Sequence, residues 1–241
     1  MAEQDSDRAT GVASQVTKTA PTLTSIYVYE APIRIWHWIN FFAFCALCVT
    51  GYLIGSPPPS ITGEASEHYL FGYIRFIHFA SAYIFAIGFL GRIYWALVGN
   101  YHAREIFSVP ILTPLYWKEL FSMLKWYAFI REFPNRYIGH NPIARLSMFL
   151  GFVVMAFFMI VTGFAMYGEG AQEEHITHTL FTSWVVPLFS NSHEIHTWHR
   201  FGMWFMICFT LLHIYAAVRE EIMGRQSMIS TMISGFRMFK E

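Results

Sequence analysis

The stretch that decides the fold is His199-Arg-Phe-Gly-Met-Trp-Phe-Met-Ile-Cys-Phe-Thr-Leu-Leu-His213, the centre of an apolar run at 197–218. A run of this length can cross a bilayer as a helix. At roughly 1.5 Å of rise per residue, the two histidines are about 21 Å apart along the helix and only about 40° apart around it. One helix therefore offers an imidazole at two depths of a membrane, on nearly the same face.

The composition of the whole chain is typical of a membrane protein. Of its 241 residues, 55% are hydrophobic and 13% are charged, whereas soluble domains carry about 25% charged residues. Four runs are long and apolar enough to span a bilayer, at 33–55, 70–98, 144–167 and 197–218. The sequence predicts an all-α membrane protein, with a four-helix transmembrane bundle at 26–224.

The charges between these runs predict how the bundle is oriented. Segments 56–69 and 168–196 contain no Lys or Arg, whereas 99–141 and the residues after 218 are rich in both. By the positive-inside rule, the two basic segments and both termini are cytoplasmic. We expect a disordered cytoplasmic tail at 1–25 and a second cytoplasmic tail at 225–241.

The long basic segment also contains a charged stretch, 116–131, that is too polar to span the membrane. Its apolar residues recur at helical spacing; they are Trp117, Leu120, Phe121, Leu124 and Ala128. This pattern predicts an amphipathic helix that lies along the cytoplasmic membrane interface.

Histidines within the spans are the first residues to explain, because ionisable side chains in a membrane are costly and usually functional. The predicted orientation places His37 and His213 in the inner leaflet, and His78 and His199 in the outer leaflet. A low-spin haem b needs an axial nitrogen on each face, and helix bundles build such sites from facing helices. The two pairs predict two haem b groups. Each histidine could instead be a satisfied polar core residue, and His196 is an alternative outer ligand.

Two arginines and one glycine fit the same interpretation. Arg75 and Arg200 lie on the outer side, against the trend of positive charge, and could pair with haem propionates. Arg34 is a weaker candidate for the inner haem. Snorkelling to headgroups is the alternative for all three. Gly51, fourteen residues after His37, would give clearance for the outer haem, although ordinary helix packing explains it equally well.

Two short motifs occur twice in the chain. Val49-Thr-Gly-Tyr52 and Val161-Thr-Gly-Phe164 end the first and third runs, and Arg34-Ile-Trp-His37-Trp parallels Arg75-Phe-Ile-His78-Phe. They indicate corresponding sites on different helices, with chance as the alternative for motifs so short.

Several longer motifs are distributed over about residues 27 to 238. They are Tyr29-Glu-Ala-Pro-Ile-Arg-Ile-Trp-His-Trp38, Thr50-Gly-Tyr-Leu-Ile-Gly55, Gly72-Tyr-Ile-Arg-Phe-Ile-His-Phe79, Arg92-Ile-Tyr-Trp-Ala96, Ile138-Gly-His-Asn-Pro-Ile-Ala144, Ile195-His-Thr-Trp-His-Arg-Phe-Gly-Met-Trp204 and Arg219-Glu-Glu-Ile-Met223. In these motifs the chain resembles the b-type cytochrome subunit of membrane-bound nickel–iron uptake hydrogenases.

The resemblance implies a multi-pass di-haem subunit of the bacterial cytoplasmic (inner) membrane. Its partners would be an iron–sulfur small subunit and a nickel–iron large subunit on the periplasmic side, and no nucleic acid. The chain would have no hydrogen-splitting site of its own. Electrons would pass from the outer to the inner haem and reduce a quinone. The family's ligands map onto His37, His78, His199 and His213.

Other functions remain compatible with the residues alone. The cytochrome b subunit of a formate dehydrogenase or thiosulfate reductase has a similar architecture, and a free-standing di-haem cytochrome could oxidise quinol without a soluble partner. A non-redox anchor or transporter, whose histidines bind protons or substrate, is the alternative from a different class.

Overall fold

The computed structural model describes residues 24–59 and 68–239, which are mainly helical. Residues 1–23 of the predicted tail lie outside this part of the chain. The four long helices are α1 (Ala31–Gly55), α2 (Leu70–Val98), α4 (Pro142–Glu169) and α6 (Ser192–Met223). The shorter ones are α3 (Pro114–Tyr127), α5 (Ser183–Leu188) and α7 (Thr231–Ser234). The predicted bundle of four membrane-spanning helices is confirmed.

The bounds of α1 and α2 agree closely with the apolar runs that predicted them. Helix α2 has the predicted bounds, and α1 begins two residues early, with Pro32 in its first turn. Helix α6 instead extends five residues beyond its run at each end. Asn191 caps it by accepting a bond from the Glu194 backbone N–H at 3.0 Å. Its 32 residues span about 48 Å, so the helix projects beyond a hydrocarbon layer of about 30 Å.

The outer surface of the long helices is apolar. Large side chains there are well exposed, including Phe42 and Leu90 at 66% and Leu97 at 74%. A soluble protein rarely exposes so large a contiguous apolar surface. Hydrocarbon chains are the solvent that matches it, and helices satisfy their own backbone groups there.

The core between the helices is built from small and aromatic residues. Its buried members are Ala43, Phe85, Phe89, Ile106, Phe152, Val153, Ala156 and Met206. Within α4, Met148–Val154 is π-helical and contains Gly151. The ring of Phe209 packs where a Gly151 side chain would otherwise lie. Phe209 in turn stacks on His213, with ring centroids 6.1 Å apart.

The two described ends of the chain meet. Strand β1 (Thr24–Tyr27) pairs antiparallel with β2 (Phe236–Phe239). Segment 225–239, expected only as a tail, is folded: Arg237 is 2% exposed and donates to the carbonyl of Gly139 at 2.7 Å. The pairing places both ends on one side of the bundle. Strands so short and so far apart in sequence leave no local pattern from which to predict them.

The predicted amphipathic helix is present, and the face that packs on the bundle is not the predicted apolar stripe, most of which stays exposed. Its buried residues are Tyr116, Leu120, Met123 and Trp126. Of the predicted stripe, only Leu120 is buried, whereas Trp117, Phe121 and Leu124 are exposed. The helix has two apolar faces. Hydropathy alone does not show which of them packs against the bundle, because that choice depends on tertiary contacts.

Gly151 provides a test of the core packing. A Cβ at this position would overlap the Phe209 ring, whereas one at Gly91 would meet no atom within 4 Å. We expect Gly151→Ala to destabilise the detergent-solubilised protein by about 1–3 kcal/mol through overpacking. Gly91→Ala should leave the melting temperature unchanged or slightly higher, because Ala is the better helix former. Equal effects of the two substitutions on thermal unfolding would contradict this packing.

Candidate functional site

A cavity of about 550 Å³ lies between α1, α2, α4 and α6. Its size is within the range typical of cofactor pockets. Residues singled out from the sequence line it together: Gly51, Arg75, His78, His196, His199 and Arg200. The structure thus brings the predicted outer pair and its expected neighbours to one site, whose remaining walls are mostly apolar.

His78 is held from α1. Its Nδ1 atom lies 2.9 Å from Oγ1 of Thr50. The next residue, Gly51, is so close that an added Cβ would lie 3.3 Å from Cε1 of His78. The imidazole therefore lies against the α1 backbone, at a position without a side chain.

His199 is held in the same way from α4. Its Nδ1 atom lies 2.7 Å from Oγ1 of Thr162, and a Cβ on Gly163 would lie 3.3 Å from Cε1 of His199. The repeated Val-Thr-Gly motif therefore has a structural counterpart, since each copy contacts one histidine of the cavity.

His196 is in a different environment from His199. It is exposed, and its Nδ1 atom is 2.7 Å from the carbonyl oxygen of Ser192, one turn earlier in the same helix. His199 lies one turn deeper and contacts a second helix. Of the two histidines, only His199 is held by a side chain of another helix.

The two cavity arginines are available to an anionic group. Arg200 donates to the Gly55 carbonyl at 3.2 Å and to the Ser56 hydroxyl at 3.0 Å, which uses two of the five guanidinium N–H groups. The guanidinium of Arg75 lies 5.7 Å from the ring centre of Phe79.

The inner histidines, His37 and His213, lie on α1 and α6. The Nδ1 atom of His37 is buried and has no hydrogen-bond partner within the described ranges 24–59 and 68–239. Arg34, the inner candidate for a propionate, donates instead to the carbonyl of Ile233, which ties α1 to the C-terminal segment.

Arg92 was missed as a candidate from the sequence. It is 3% exposed, stacks on Trp36 and Phe107, and donates to the Ala103 carbonyl at 2.5 Å. Its Nε and Nη1 atoms are buried without a partner among the residues that the structure describes. An arginine within an apolar span is the signal that could have identified it.

Comparison with known proteins identifies the family. The sequence model of the family described as prokaryotic cytochrome b561 matches residues 28–235. The chain belongs to this family. A probable Ni/Fe-hydrogenase B-type cytochrome subunit of Cupriavidus necator is 56% identical over 97% of this chain and 95% of its own length. Relatives with corresponding names are 55% identical in Azotobacter vinelandii, over 90% of each chain, and 45% identical in Escherichia coli K12, over 90% of this chain and 93% of the relative.

Membership of this cytochrome family implies haem b, and the residues of the cavity fit that group. His78 and His199 are imidazoles on different helices that open onto one space, as bis-histidine ligation requires. Arg75 and Arg200 provide the charge and geometry that bind carboxylates. The rest of the lining is mostly apolar.

The cytochrome also has a buried polar cluster near its paired strands, the Glu105 cluster, formed by Tyr29, His102, Glu105 and His140. Nδ1 of His102 and of His140 lie 2.8 and 2.9 Å from the Glu105 carboxylate. Burial alone would raise the pKa of Glu105, but hydrogen bonds and charge from His140, with a bond from His102, lower it to about 2. Burial raises the pKa of Tyr29 to about 12. His102 and Glu105 are three residues apart, but Tyr29 and His140 lie far from them in sequence, so the four residues form no recognisable motif.

A second carboxylate, Glu220 at the end of α6, is 6% exposed. It accepts hydrogen bonds from Tyr127 at 2.8 Å, from Gln226 at 3.0 Å and from Asn141. Asn141 also caps α4. The segments between the long helices are thereby fastened to the end of α6.

The Glu105 cluster predicts a pH-dependent contribution to stability. Because the pKa of Glu105 is depressed from 4.5 to about 2 on folding, its ionised form stabilises the fold above pH 4.5, and this stabilisation is lost as pH falls towards 2. Glu105→Gln should cost about 1–3 kcal/mol at pH 7, and the difference from the parent should narrow between pH 4.5 and 2. Exposed Glu132→Gln is the control. A difference in melting temperature that does not change with pH would disprove this role.

Proposed function

We propose that this cytochrome is the membrane subunit of a nickel–iron hydrogenase, binds two haem b groups and links hydrogen oxidation to quinone reduction. The observation that carries the proposal is the cavity in which His78 and His199 meet, with Arg75 and Arg200 beside them. The names of relatives that are 45–56% identical to almost the whole chain support the hydrogenase assignment.

In this proposal the four span histidines would hold the haem groups. His78 and His199 would hold the outer haem, and His37 and His213 would hold the inner one. When bound, haem b supplies a reversible one-electron carrier. The protein would contribute the fixed imidazoles, mostly apolar walls and, for the outer group, guanidinium partners for its propionates.

The orientation is also part of the proposal. Both termini and segment 99–141 would face the cytoplasm of a bacterial inner membrane, and the small and large hydrogenase subunits would dock on the periplasmic side. The pairing of β1 with β2 supports termini on a common side. Arg237 joins that side to segment 99–141 through the carbonyls of Tyr137 and Gly139, and this segment is rich in basic residues, as the positive-inside rule requires.

Quinone would be reduced near the inner pair. Reduction of a quinone consumes protons, so its site needs groups that exchange protons with the cytoplasm. The Glu105 cluster lies at the corresponding end of the bundle, where His140 precedes the start of α4. This arrangement supports proton access from the cytoplasmic side.

Substitution of a proposed ligand tests whether quinone reduction depends on this chain while hydrogen splitting takes place on a partner subunit. His213→Ala should lower the haem content from two groups per chain to one and abolish hydrogen-dependent quinone reduction. Hydrogen oxidation with a soluble artificial acceptor should persist, because the hydrogen-splitting site would lie on a partner. His178→Ala, outside the cavity and both proposed pairs, is the control and should leave haem content and both activities unchanged.

Three results would overturn the proposal. They are co-purification of a molybdenum enzyme in place of a nickel–iron one, a parent chain whose gently solubilised complex contains no haem b, and loss of hydrogen splitting itself in an assembled His213→Ala complex. Haem-to-polypeptide ratio and partner identification in that complex distinguish these results.

A further inference from the structure

The hydroxyls of Thr50 and Thr162 have the same set of partners. Both threonines are buried, at 6% and 1% exposure. Oγ1 of Thr50 donates to the carbonyl of Ala46 at 2.6 Å, and Oγ1 of Thr162 donates to the carbonyl of Phe158 at 2.8 Å. Each acceptor lies four residues earlier in the same helix, and each hydroxyl oxygen also contacts Nδ1 of a cavity histidine.

The number of protons determines the direction of these contacts. A threonine hydroxyl has one proton and can accept further bonds through its lone pairs. Since each helix carbonyl can only accept, it takes the hydroxyl proton, and the bond to the histidine must be donated by Nδ1–H. His78 and His199 are then both Nδ1-protonated, and Nε2 is the ring nitrogen with a free lone pair, as a metal ligand requires.

We propose that Thr50 and Thr162 are positioning residues that fix the tautomer and ring orientation of His78 and His199 for a single haem. The inference rests on the proposed function, in which these histidines are the outer ligands. It extends that function by adding two residues that contact the ligands rather than the haem, one on each of two further helices.

The glycines that follow the two threonines contribute to the same positioning of the rings. Gly51 and Gly163 each follow the threonine directly, and an added Cβ would lie 3.3 Å from Cε1 of the corresponding histidine. That separation is tighter than ordinary van der Waals contact. The threonine therefore holds the ring through Nδ1 while the glycine allows it to approach the helix. This shared requirement explains why Thr-Gly occurs as a unit in both copies.

The inner pair is held differently. Nδ1 of His37 is buried without a hydrogen-bond partner in the described part of the chain, and His213 stacks on Phe209. Substitution of either threonine should therefore affect the outer haem and leave the inner haem unchanged. That restriction separates a positioning role from a general loss of stability.

The experiment measures the two haem components of the full chain in its solubilised complex. In Thr50→Val and Thr162→Val, the shape of the side chain is kept but the acceptor for Nδ1–H is lost. A less electron-rich imidazole stabilises ferric iron less, so the midpoint potential of the outer component should shift upward while the inner one is unchanged. Transfer of the outer haem to excess apomyoglobin should reveal an affinity weakened on the order of 10–100-fold.

Four further variants complete the test. Thr50→Ser and Thr162→Ser retain the hydroxyl and should restore the parental potential. Thr182→Val is the matched control, because Thr182 is also 6% exposed and donates to a carbonyl, that of Ala165 at 2.8 Å. It should change neither component. His199→Ala identifies the outer component as the one that is lost.

The outcomes separate the two levels of inference. If both haems are present and neither Val variant shifts the outer component, the positioning role is disproved while the proposed function stands. Equal shifts of both components, or Ser variants that behave like Val, would also disprove it. A parent chain without haem would overturn the proposed function and the inference that rests on it.

Discussion

An imidazole N–H inside a hydrocarbon layer must find an acceptor within the protein, because no water is available and an unpaired polar group costs several kcal/mol. The end of the bundle that contains the cavity meets this requirement. Helix α1 supplies the acceptor for the His78 ring of α2, and α4 supplies it for the His199 ring of α6. Each acceptor is followed by a glycine, so the outer cavity consists of two similar half-sites, one from each pair of helices.

The other end of the bundle satisfies its polar groups with residues from the connecting segments. Glu105, between α2 and α3, binds His140, which precedes α4. Glu220 at the end of α6 binds Tyr127 of α3. The bundle thus has an open cavity at one end, and at the other a layer of polar side chains that pair with one another.

Local pattern determined how much could be predicted from the sequence. The bounds of α2 follow from hydropathy alone, and the placement of His78 and His199 at one cavity follows from topology and spacing. The Glu105 cluster joins side chains up to 111 positions apart, and the pairing of β1 with β2 joins the two ends of the described chain. Such contacts depend on the finished fold. For α3, both faces were apolar, so hydropathy could not select the one that packs.

The same sequence spacing separates the residues at the two ends of the bundle on three of the long helices. His37 and Gly51, His78 and Arg92, and His199 and His213 are each separated by fourteen residues on one helix, about 21 Å and close to four full turns. Each helix therefore presents both positions on nearly one face.

Between these positions lie the buried core residues, Ala43 on α1, Phe85 and Phe89 on α2, and Met206 on α6. On α4 the interval from Gly151 to Gly163 is twelve residues and includes a π-helical stretch, whose wider turn shifts the facing side chains around the helix axis. The apolar core separates two polar layers at a fixed distance, and the rise of the α-helix sets that distance. A spacing first visible on one helix is thus a property of three of the four.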